Sequence, residues 1–77
     1  MSKNIGKNKI AKMEFKKGDC FISKETMQGK SLVRIITDVK RGKVHYQNSD
    51  DKCLFVFTKA IFRFILSIDG SEYVGRI

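Results

Sequence analysis

Leu32-Val33-Arg34-Ile35-Ile36-Thr37-Asp38-Val39-Lys40-Arg41-Gly42-Lys43-Val44-His45-Tyr46, residues 32–46, reads as a β-hairpin. Val, Ile and Thr fit a pleated, half-buried surface better than a helix, so 32–39 is the first strand. Successive side chains of a strand point to opposite faces. Val33, Ile35, Thr37 and Val39 then form the expected core face, and Leu32, Arg34, Ile36 and Asp38 the other. Lys40-Arg41-Gly42 is a tight turn in which Gly42 supplies a positive φ. In the returning strand, Val44 and Tyr46 share one face and Lys43, His45 and Gln47 the opposite one.

Turn residues divide the rest. Gly18-Asp19 precedes a short strand from Cys20 to Ser23, residues 24–31 form a polar loop around Gly29, and Asn48 to Asp51 is a turn before a strand from Lys52 to Phe57. Thr58 is suited to cap a helix starting at Lys59, with Ala60, Ile61, Phe64, Ile65 and Ile68 along its buried side. A strand through 61–68 competes, because the segment is rich in β-formers, and one or two helical turns are favoured. Asp69-Gly70 is a turn, and Tyr73 to Ile77 a closing strand. Short strands joined by polar turns indicate a mainly β, five-stranded, partly open barrel with one short helix near the C-terminus.

Seventy-seven residues suffice for one small domain and leave little room for an enclosed pocket. Residues 15–77 form that domain, and residues 1–14 a flexible basic arm. The six phenylalanines are its main filling, with Phe55, Phe57, Phe62 and Phe64 in the core and Phe15 and Phe21 anchoring the start of the fold. Leu54/Val56 and Phe55/Phe57 make one strand apolar on both sides, which calls for cover on both sides and points to a homodimer or protein partner.

The net charge of +8 is concentrated. Residues 1–18 hold six lysines against Glu14, residues 40–48 hold Lys40, Arg41 and Lys43 with no acid, and residues 19–39 and 49–77 each balance. Clustered cations attract polyanions, because each neutralised phosphate releases condensed counterions. Candidate nucleic-acid contacts are therefore Lys7, Lys9, Lys12, Lys16 and Lys17 of the arm and its junction, and Lys40, Arg41, Lys43 and His45 at the hairpin. Arg34 extends the patch if its strand presents it beside Lys43 and His45.

Other chemistries lack their residues. Cys20 and Cys53 form no metal-ligand spacing with the lone His45, so no metal or other cofactor is expected, and both read as small buried hydrophobes. Asp50 and Asp51 are adjacent turn residues, and no nucleophile elbow or Gly-rich phosphate loop occurs, so no catalytic residue is assigned. No apolar leader opens the chain and no stretch is long enough for a membrane span, so a reducing cytoplasm is the expected location.

Lys16-Lys17-Gly18-Asp19 followed by Gly42-Lys43-Val44-His45-Tyr46 resembles the opening of a small SH3-like barrel, a type with a K-x-G-D turn and a G-x-V-x-Y hairpin return. Cys53 followed by Phe62-Arg63-Phe64 is similar to short basic proteins of unknown function found in phages and prophages. The resemblance covers residues 15–66 and implies an SH3-like fold, one that hosts nucleic-acid and peptide binding alike. The expected function is non-catalytic binding of DNA or RNA phosphates by the arm and the hairpin. The rival is a small phage-type inhibitor or adaptor that docks an acidic surface of a host protein through 53–57 and 73–77.

Overall fold

The computed structural model describes residues 10–24, 29 and 31–77. Five strands, β1 (Asp19–Ile22), β2 (Val33–Lys40), β3 (Lys43–Asn48), β4 (Leu54–Thr58) and β5 (Glu72–Arg76), form one antiparallel sheet in the order β4-β3-β2-β1-β5. A ten-residue helix, Lys59–Ile68, links β4 to β5. The sheet is open: β4 and β5 are its edges and do not pair with each other.

The helix forms where the cap predicts. Thr58 adopts extended dihedrals, and its hydroxyl accepts the Ile61 N–H at 3.2 Å, satisfying one of the free donors of the first turn. Its buried side is Phe62 and Leu66, whereas Ile61, Phe64 and Ile68 face solvent. The expected face is thus the wrong one: outside the polar stripe of Lys59, Arg63 and Ser67 the apolar arc is broad, and the sheet selects the part of it, Phe62 and Leu66, that packs. Phe62 sits at the centre of the core, with ring centroids 5.0 Å from Phe15, 5.7 Å from Phe21 and 4.9 Å from Tyr46.

The face expected for β2 is also reversed over its first half. Arg34 and Ile36 are buried while Val33 and Ile35 are only half-buried. A bulge at Thr37 shifts the register between Ile36 and Asp38, after which Val39 turns inward opposite Val44. Arg34 is tolerated inside because its guanidinium binds the Asp69 carboxylate, donates to Ser71 Oγ and lies 5.9 Å from the centre of the Tyr46 ring. Arg34→Ala leaves a cavity and takes the partner from buried Ser71, while Asp69, 31% exposed, regains water, so the change is expected to cost about 2 kcal/mol. Urea unfolding checks this, and an unchanged midpoint contradicts it.

Packing reaches back beyond Phe15. Ile10 belongs to the core, and Arg63 donates to the carbonyls of Ile10 (3.3 Å) and Met13 (2.8 Å) while stacking on Phe15. Residues 10–14, expected in the arm, are therefore seated on the domain; residues 1–9 lie outside the described residues.

Asp19 closes the molecule. Fully buried, it accepts from the Lys16 N–H (2.8 Å), Arg76 Nε (2.7 Å) and Tyr73 Oη (3.1 Å), tying the start of the sheet to β5. Gly18 has φ +92°, and a Cβ there would lie 3.0 Å from the Ile77 carbonyl oxygen, so both the backbone conformation and the close approach favour glycine. Burial, then the hydrogen bond to Asp19, pushes the Tyr73 hydroxyl above its ordinary 10.0, and burial does the same for Tyr46. A folded-state pKa raised above the unfolded one gives stability that is complete below pH 10 and lost as pH climbs through the folded value. Thermal melts are expected to fall steeply above pH 10, with tyrosinate absorbance rising together with unfolding. Ordinary tyrosine titration in a stable fold counts against this.

Candidate polyanion site

The β2–β3 connection is a two-residue turn, Arg41-Gly42, with both residues at positive φ (53° and 73°), the type I′ geometry that matches strand twist. It brings together Lys40, Arg41, Lys43 and His45, which with Val56 line an open basin of about 410 Å³. Lys43 and His45 stand on the outer face of β3, opposite Thr58 and Val56 of β4. Four of the expected contacts therefore converge. His45 is half-buried between Asp38 on β2 and Val56 on β4.

Two local rules are broken at this tip. A non-glycine residue rarely adopts Arg41's conformation, and Asn-Gly is the usual pair here. Lys40 and Lys43 are direct cross-strand partners, and like charges so placed repel. Asp38 lies 3.6 Å from Lys40 Nζ, but both groups are about half exposed, so the pair is weak and leaves Lys40 available.

The registers also polarise the molecule along its strands. Gly18 donates to the Ile36 carbonyl, and Lys59 donates to that of Gly42, so Lys16, Lys17 and Lys59 lie at the same end of the sheet as the tip. Asp50, Asp51, Asp69 and Glu72 lie at the other end with Lys24, Arg34 and Lys52, so that end is close to neutral while the tip end, despite Asp38, is strongly basic. Sequence reading missed this separation, which depends on strand order; the signal was the alternation of basic and acidic turns.

Placement of the remaining candidates is mixed. Lys12, Lys16 and Lys17 are exposed, with Lys16 3.6 Å from Glu14. Arg34 is buried on the inner face beside Asp69, so the expected stripe of Arg34 with Lys43, His45 and Gln47 does not exist. Lys7 and Lys9 lie outside the described residues. Cys20 is buried as expected, but Cys53 is exposed. Burial raises the Cys20 thiol, and a hydrogen bond with Asp51 raises that of Cys53, the reverse of an activated nucleophile. Among the described residues no helix is long and apolar enough to cross a membrane, and no cluster of His, Cys, Asp and Glu is arranged to hold a metal ion. No family model, curated protein or solved structure matches this chain.

Proposed function

We propose that the protein binds nucleic-acid phosphates without catalysis, using the Lys40–Lys43 hairpin as its main grip and the basic entry segment at the same end of the sheet as a second. The observation that carries this reading is the tip itself, where four groups converge on a turn that holds one non-glycine residue, Arg41, at positive φ and sets two lysines directly opposite each other; such violations concentrate at functional sites. Tyr46, Phe55 and Phe57 belong to the inner face, so the outer face offers bases no stacking platform. Binding therefore rests on phosphates and has low sequence specificity. The strand order, with a helix between β4 and β5, supports an SH3-like fold left open at β4 and β5. Two free thiols agree with a reducing cytoplasm.

The test exploits the strain. Arg41→Asn is expected to stabilise the fold by about 1 kcal/mol while weakening duplex binding about tenfold at 50 mM salt. Thermal melts and fluorescence anisotropy measure the two effects. Loss of both stability and binding would mean that Arg41 is structural, and unchanged binding would remove the hairpin grip. The rival, docking on an acidic protein surface, draws on exposed Val74 and Ile77 beside Arg76. It predicts no oligonucleotide binding even at low salt.

A further inference from the structure

The two edges of the sheet differ. β5 is guarded in the ways natural edges are: charged Glu72 and Arg76 at its ends, Gly75 at φ +127°, and a register shift against β1 between Cys20 and Phe21. β4 has none of these devices. Leu54-Phe55-Val56-Phe57-Thr58 carries no charge, proline or bulge, and among the described residues it pairs with β3 alone. Such an edge is a ready template for another strand.

We propose that β4 is the contact edge of a two-fold dimer, in which it pairs antiparallel with β4 of a second copy to make a ten-stranded sheet. The strand is self-complementary in that arrangement. With the axis at Val56, the two Val56 residues face each other, Leu54 meets Thr58, and Phe55 meets Phe57 on the inner face. Both rings are only half-buried now, and they end an aromatic row, Tyr46–Phe55 at 5.2 Å and Phe55–Phe57 at 6.4 Å. Cross-strand aromatic pairs complete that row across the axis.

The exposed apolar surface agrees with a second copy. A stable dimer hides roughly 800 Å² per partner, about one-seventh of the 5436 Å² surface. Strand pairing alone hides less, but the helix packs over β4 and β3, and among the described residues five of the seven exposed large hydrophobic ones lie in 54–68. β4 and the exposed helix residues Ala60, Ile61, Phe64, Ser67 and Ile68 carry no charge, but Lys52 and Lys59 flank the strand and Val56 shares its basin with Lys40, Arg41 and Lys43, so the dimer is expected to tighten as salt screens these cations. Antiparallel pairing also places the two hairpin tips at opposite ends of one continuous face, giving two phosphate grips. That consequence alone rests on the proposed function.

Sedimentation equilibrium of the full chain at tens of micromolar is expected to give twice 8.9 kDa. Val56→Lys sets two like charges together on the axis and is expected to return the monomer, with circular dichroism confirming the fold. Val56→Cys in a Cys53→Ser background is expected to form a covalent dimer under mild oxidation, because directly opposed residues lie near disulfide range; Cys53→Ser alone is not. Arg41→Asn is expected to leave the mass at dimer while weakening duplex binding, so failure of the dimer and failure of the grip are read separately. A monomer at 100 µM overturns the proposal, as does a dimer indifferent to Val56→Lys that fails to cross-link. A ring or filament mass also overturns it, since that would mean pairing of β4 with β5.

Discussion

Replacing the three hairpin cations together, Lys40→Gln, Arg41→Asn and Lys43→Gln, is expected to lower affinity for random-sequence duplexes about a thousandfold at 50 mM salt. The size follows from counterion release: observed affinity varies with salt to a power of about −0.9 per phosphate neutralised, so each contact contributes roughly tenfold at that concentration. The same argument predicts that the slope of log affinity against log salt becomes shallower by about 2.7. Sequence variants of the duplex should be affected alike, because the basin's cations position a backbone rather than read bases. Misfolding is an unsuitable explanation for such a loss. The three changes relieve the Lys40–Lys43 repulsion and the strained Arg41, so the triple variant is expected to melt higher than the parent. Anisotropy titrations from 50 to 300 mM salt, with melts on the same samples, test both halves. A slope unchanged by the substitutions leaves the hairpin without a role.

The tip was legible in the sequence because its geometry is local. Gly42 between a β-branched run and an alternating return strand fixes a hairpin, and a hairpin sets Lys40 beside Lys43 whatever the rest of the chain does. Strand faces are a different matter. Strict alternation puts Val33, Ile35 and Val39 on one side, yet one extra residue at Thr37 makes the rule fail across it, and only Val39 faces the core. No turn signal marks that bulge. Arg34 was misplaced for a related reason: its partners Asp69 and Ser71 are 35 and 37 residues away, and only the assembled fold brings them to it. Taken alone, an arginine among β-branched residues is an exposed cation. Cys53 shows the reverse error, an apolar residue type held outside by its place in the β3–β4 turn.

Phe62 and Phe64, two residues apart on one helix, should answer to opposite rules. Phe62 is fully buried and in contact range of three other aromatic rings, so Phe62→Ala removes a ring and leaves a cavity, at about 3–5 kcal/mol. A chain of 77 residues has a total stability of roughly 4–12 kcal/mol, so that loss takes a large share and is expected to leave much of the protein unfolded at 37 °C. Phe64 is 63% exposed, and Phe64→Ala in the monomer is expected to stay within about 0.5 kcal/mol of the parent. The contrast separates the observed helix orientation from the one periodicity favours, in which Phe64 is core. Urea unfolding at low protein concentration, in a Val56→Lys background that keeps the chain monomeric, compares the two directly. If Phe64→Ala proved the more damaging, the helix would be rotated about its axis. Leu66 would then turn outward with Phe62, and the core that holds the sheet beneath the hairpin would have to be built from Ile61, Phe64 and Ile68 instead.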